Sequence, residues 1–166
     1  MAISSAMKRG GVIAGVAIGA VALILITKPV PAPAVVSGNT GALVAEAATY
    51  DFGAVPLSGG LVRTAYAVRN TGAEPLTIND VWTSCMCTTA IMRRGGEIWG
   101  PFGMPGHGPR RGVSLTLAPG EETEVEVVFD PAAHGPAGVG PVMRAVFLDS
   151  TAGDPLELAF TATVTP

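Results

Sequence analysis

Side chains that alternate in character with a period of two recur from Val62 to the end of this chain, and that pattern restricts it to strands. The clearest run is Glu122–Phe129, where Glu122, Glu124 and Glu126 share one face and Val125, Val127 and Phe129 the other. A helix would mix these two sets; a pleated strand separates them. Val62, Thr64, Tyr66 and Val68 form a second row, with Arg63 and Arg69 opposite. Leu156, Leu158, Phe160, Ala162 and Val164 form a third. Further strands are predicted over 43–52, 75–84, 113–117 and 141–149, bounded by turn residues such as those of Asn70–Pro75 and Ala118–Gly120. About seven short strands without a helical pattern between them predict an all-β fold, an immunoglobulin-like antiparallel β-sandwich over residues 43–166.

The N-terminal quarter has another composition. Gly10–Thr27 is an uncharged, apolar run of 18 residues behind Lys8 and Arg9. As a helix it reaches about 27 Å, near the thickness of a bilayer's hydrocarbon core. This predicts a cytoplasmic segment 1–9, a transmembrane signal anchor 10–27 and a Pro/Ala/Gly-rich linker 28–42, with the sandwich on the extracytoplasmic side of the inner membrane. A cleaved signal peptide is the competing reading, with Ala32-Pro-Ala34 as an imperfect cleavage site; the length of the run suits a retained anchor better. Gly11, Gly15 and Gly19 line one face of such a helix and would let another transmembrane helix approach closely.

Charge is distributed unevenly. All 13 acids and seven arginines lie beyond Pro29, a net −6, yet Ile91–Gly112 carries Arg93, Arg94, Arg110 and Arg111 beside Glu97 alone. An acidic domain without a basic stripe excludes nucleic acid as the expected partner. The 91–112 stretch is rich in glycine and proline, which predicts an irregular loop, neither helix nor regular strand. Arg93, Arg94, Trp99, Phe102, Arg110 and Arg111 are the residue types that interfaces favour, and they are the candidate contacts to an extracytoplasmic protein partner. The other use of these residues is a loop folded back over the open end of the sandwich.

Five short motifs follow one another: Tyr50-Asp-Phe-Gly53, Arg69-Asn-Thr-Gly72 with Pro75-Leu76, Ser84-Cys-Met-Cys-Thr-Thr89, Leu117-Ala-Pro-Gly-Glu121 and Val127-Val-Phe-Asp130. In this order they resemble the DUF1573 family of exported bacterial domains, similar to the ASH/MSP group of immunoglobulin-like modules, over about residues 46–165. The resemblance implies a sandwich fold and a cell-envelope location, and it brings no catalytic activity. The chain departs from the family pattern at Met86, where a glycine is usual, and in the longer 91–112 stretch.

Cys85 and Cys87 are the only cysteines. In a flat strand, residues i and i+2 lie about 6.5–7 Å apart at Cα, at or beyond the reach of a disulfide unless the chain kinks. As thiolates the pair would suit Cu(I), a soft ion, with Met104 and His107 as further ligands and Met92 and His134 as other candidates. A methionine between two strand cysteines should face away from both sulfurs. The third reading is two small buried residues at a strand end. All three stay open. No nucleophile–base pair, catalytic carboxylate pair or nucleotide-binding loop is present, so an enzyme is not expected. The expected role is a structural or docking subunit of a larger membrane assembly, respiratory or photosynthetic in kind. The alternative is a copper-binding or thiol-redox module built on Cys85 and Cys87.

Overall fold

Each segment of period-two alternation is a strand, and three more strands lie among them. In the computed structural model, which describes residues 42–107 and 111–166, the strands are β1 (Leu43–Ala45), β2 (Thr49–Pro56), β3 (Val62–Asn70), β4 (Leu76–Thr83), β5 (Thr88–Arg94), β6 (Glu97–Phe102), β7 (Leu115–Leu117), β8 (Glu122–Phe129), β9 (Gly140–Ser150) and β10 (Gly153–Thr165). A 3-10 turn, Gly135–Gly138, precedes β9. The expected transmembrane segment with Gly11, Gly15 and Gly19, nearly all of the linker, and Arg110 lie outside the described residues. Among the described residues no helix is long and apolar enough to cross a membrane.

The strands form two five-stranded sheets, ordered β1-β3-β8-β5-β6 and β2-β10-β9-β4-β7. Side chains from their inner faces fill the core. In β8 the apolar phase (Val125, Val127, Phe129) is buried and Glu122 and Glu124 are exposed, as the alternation requires. The Leu156–Val164 row of β10 supplies five buried side chains opposite. Phe129 of one sheet and Phe160 of the other have ring centroids 5.2 Å apart. Each fully buried Leu or Phe contributes about 1.5–3 kcal/mol. The hydroxyl of buried Tyr66 on β3 donates across the sandwich to the Ala159 carbonyl, at 2.7 Å.

Three expectations need correction. Among the described residues the sandwich has ten strands: the 43–52 segment divides, with β1 pairing with β3 while β2 joins the other sheet, and β5 and β6 are two strands more. The pairing is not wholly antiparallel either, since β2 runs parallel to β10. Lastly, 91–112 is not irregular throughout. Ile91–Arg94 completes β5 and Glu97–Phe102 is β6, an antiparallel hairpin with Arg94 opposite Glu97. Its two-residue loop is Gly95-Gly96, with φ of 55° and 92°. Glycine supplies that left-handed backbone at no steric cost, so the residues that appeared to break a strand instead close a hairpin.

Candidate functional site

The chain passes from β4 in one sheet to β5 in the other through the turn Ser84–Cys87, and this corner holds both cysteines. The corner is fixed on every side. Ser84 N donates to the Ala145 carbonyl at 2.9 Å and Ala145 N donates to Ser84 Oγ at 2.9 Å. Thr88 N donates to the Cys85 carbonyl at 3.1 Å, closing a tight turn, and Asp130 N donates to the Cys87 carbonyl at 2.9 Å. The hydroxyl of Thr83, itself buried, lies 2.9 Å from the Cys85 carbonyl and 3.1 Å from that of Thr88.

The turn shortens the Cα separation of Cys85 and Cys87 to 5.3 Å, and the two sulfurs are joined as a disulfide. A flat strand would have held them too far apart. Met86 is half-exposed and lines the same cleft as Cys85.

His134 comes to this corner from the far end of β8. Asp130 Oδ1 accepts from Ala132 N at 2.9 Å and Gly135 N donates to the Ala132 carbonyl at 2.8 Å, so the chain curls and presents the ring. Nε2 of His134 lies 3.2 Å from Sγ of Cys85. One ligand atom each from Cys85, Cys87 and His134 fall within 4.8 Å of one another. Both sulfurs are nearly buried and the imidazole is exposed.

A cleft of about 410 Å³ opens over the cluster, lined by Ser84, Cys85, Met86, Met104, His107, His134, Met143 and Arg144. Met104 and His107 thus stand on its wall, joined by a turn in which His107 N donates to the Met104 carbonyl at 3.1 Å. Met92 is fully buried in the core, away from this cleft. Met143 and Arg144 are members that sequence reasoning missed. The signal for Met143 was available: it occupies the outward phase of β9, where a methionine has no core to fill.

The six candidate partner contacts are mostly engaged within the domain. Arg93 Nε and Nη2 donate to Glu126 Oε2 at 3.1 and 2.7 Å. Arg93 first and Arg63 second hold the Glu126 carboxyl below the usual carboxylate range by hydrogen bonding. Arg94 donates to the Thr116 carbonyl at 2.6 Å, pairs with Glu97 and Glu121, and lies 5.6 Å from the ring centroid of Trp99. Trp99 is half-buried against the core, and Phe102 is inside it. Arg111 is exposed on a second cleft, of about 300 Å³, beside Asp80, Trp82 and Met104. The apolar residue that protrudes from this hairpin is Ile98.

A search of curated proteins finds none that matches the chain. Among solved structures it is similar to a protein of unknown function from Porphyromonas gingivalis W83, at 20% identity and a TM-score of 0.55. That match covers 79% of this chain and 50% of the other, so the chain spans about half the length of that protein. Weaker matches include the ASH/PapD-like domain of human CEP192, at 11% identity and a TM-score of 0.46, covering 76% of this chain and 87% of that one. The periplasmic chaperone SfaE matches at 9% identity and a TM-score of 0.43, covering 75% and 57%. At these identities the likeness concerns the fold alone. The sequence itself gives a narrower match: residues 43–95, which run from β1 through the cysteine corner to the Gly95-Gly96 loop, fit the model of the family described as Protein of unknown function (DUF1573).

Proposed function

We propose that this chain is a non-catalytic copper(I)-binding module that works outside the cytoplasm, with Cys85, Cys87 and His134 as its ligands. The observation that carries the reading is the convergence of two sulfurs and one imidazole nitrogen within 4.8 Å at a single corner of the sandwich. Thiolate and imidazole donors suit a soft ion. A structural zinc site takes four ligands, typically cysteine, histidine or carboxylate. Here the cluster offers three, and the remaining donors around the cleft are mostly thioethers, with no Asp or Glu among its lining residues. That donor set favours Cu(I).

The disulfide is the oxidised form of the site and suits an oxidising compartment. Ligation belongs to the reduced form. Two molecules of an external thiol supply two electrons and two protons to the Cys85–Cys87 bond, leaving two cysteine thiols and the external thiol's own disulfide. The cysteine protons then pass to water as copper–thiolate bonds form. Little rearrangement is needed, because most of the hydrogen bonds that fix the corner are made by backbone groups, Thr83 and Ser84; the sulfurs add Cys87 N donating to Cys85 Sγ at 3.3 Å and Cys87 Sγ at 3.6 Å from Thr88 Oγ1. Anchoring by residues 10–27, with Gly11, Gly15 and Gly19 toward another transmembrane helix, belongs to the same proposal and rests on the sequence.

The test is anaerobic titration of the thiol-reduced, detergent-solubilised full chain with Cu(I). One copper per chain is expected, and none in the Cys85→Ser/Cys87→Ser variant. Absence of copper from the wild type, or equal copper in the variant, contradicts the reading.

A further inference from the structure

We propose that Met86, Met104 and Met143 form a thioether mouth that accepts Cu(I) by ligand exchange and passes it to the cysteine–histidine cluster beneath. This inference rests on the reading of that cluster as a Cu(I) site. The methionines come from three separate parts of the fold: the β4–β5 corner, the loop after β6, and β9. All three line the one cleft that also holds Cys85 and His134. The exposure of Met86 and Met143 sets them apart from a packing role, and Met104 is half-buried on the cleft wall. Met86 is 51% and Met143 71% exposed, whereas Met92, which does serve the core, is 0% exposed. A flexible thioether left in water beside two buried sulfurs is placed for a ligand rather than for a neighbour.

The geometry also gives the mouth a purpose. Cys85 and Cys87 are 8% and 3% exposed, and Cys85 lines the cleft, so an ion entering there meets Cys85 after passing the rim. Thioethers are neutral and soft, so they bind Cu(I) weakly, discriminate against harder divalent ions and release it readily. During transfer, copper–thioether bonds break, copper–thiolate bonds form, and the thiol protons go to water. Copper stays Cu(I) throughout, so no oxidant or reductant takes part in this step. The class of donor that fits is a Cu(I) complex with exchangeable ligands, a chelate or a copper-carrying protein, rather than aqueous Cu(II).

Two measurements on the full chain in detergent test this. Stopped-flow transfer of Cu(I) from a chromophoric chelate is compared between wild type and Met86→Leu/Met104→Leu/Met143→Leu, a near volume-conserving change. Transfer is expected to slow by about tenfold or more, with one copper still bound at equilibrium. An unchanged rate overturns the mouth and leaves the cluster reading intact. The second measurement does not depend on the Leu variant folding. Methyl-labelled methionine NMR follows Ag(I), a redox-inert stand-in for Cu(I), added to Cys85→Ser/Cys87→Ser. Methyl signals of Met86, Met104 and Met143 are expected to shift while that of Met92 stays fixed; static signals from all four overturn the proposal. Shifts at the three rim methyls, with a wild type that takes up no copper, would refute the cluster and with it the transfer step.

Discussion

Nε2 of His134 lies 3.2 Å from Sγ of Cys85, although 49 residues separate the two in sequence. The imidazole is exposed and contributes little to the core, so its position serves the sulfurs more than the fold. His134→Ala is therefore expected to leave unfolding by urea within about 0.5 kcal/mol of wild type. The same change should weaken Cu(I) binding by about tenfold or more, read by competition against a chromophoric chelator. Equal affinity would remove His134 from the ligand set.

Asn70 gives the family-like Arg69-Asn-Thr-Gly72 motif a physical role. Fully buried, its Nδ2 donates to the carbonyls of Glu74 and Leu117 at 2.8 and 3.0 Å, and its Oδ1 accepts from Gly72 N at 2.9 Å. Asn70→Ala should cost about 2–3 kcal/mol in chemical denaturation, because it strands the buried Leu117 carbonyl and two part-buried backbone groups. Asn70→Asp should cost more, since both donors are lost and a charge is buried.

How much of this could be read from the sequence depended on the range of the interaction. Alternation along Glu122–Phe129 and Leu156–Val164 reports a local pleat, and both rows face the core as expected. The division of 43–52 between two sheets depends on pairing with β3 and β10, partners far along the chain, and no local pattern encodes it. At the site, Cys85, Cys87, Met104, His107 and His134 were identifiable by residue type. The turn that draws the sulfurs together, and the convergence of His134 and the outward-facing Met143 on it, are tertiary facts. The Gly95-Gly96 pair was misjudged for a different reason. Glycine density signals irregular chain in general, but two glycines between strand-forming residues signal a hairpin.

That hairpin yields a prediction. A Cβ on Gly96 would meet nothing within 4 Å, so the cost of a side chain there is backbone strain at φ +92° rather than a clash. Gly96→Val should lower stability by about 1–2 kcal/mol in urea unfolding, and Gly103→Val, at an open position without the positive φ, should cost less.

Glu126 makes stability depend on pH. Its carboxyl, bound by Arg93 and Arg63, has a folded pKa below the ordinary value, so the contribution is complete above that value and is lost as the pH falls through the folded one. Both arginines are well exposed, which limits the contribution to about 0.5–1 kcal/mol. Glu126→Gln should be less stable than wild type by that amount at neutral pH. The two stability curves should converge as the pH falls below the ordinary carboxylate range and through the lowered folded value; parallel curves would show that the ion pairs contribute nothing.

The most direct test of the copper site is X-ray absorption at the copper edge, on the thiol-reduced full chain loaded with one equivalent of Cu(I). The expected first shell holds at least two sulfurs and one imidazole nitrogen, and it loses its thiolate sulfurs in Cys85→Ser/Cys87→Ser. A shell of nitrogen and oxygen alone, or one that survives unchanged in that variant, would contradict the assignment of Cys85, Cys87 and His134 as the ligands.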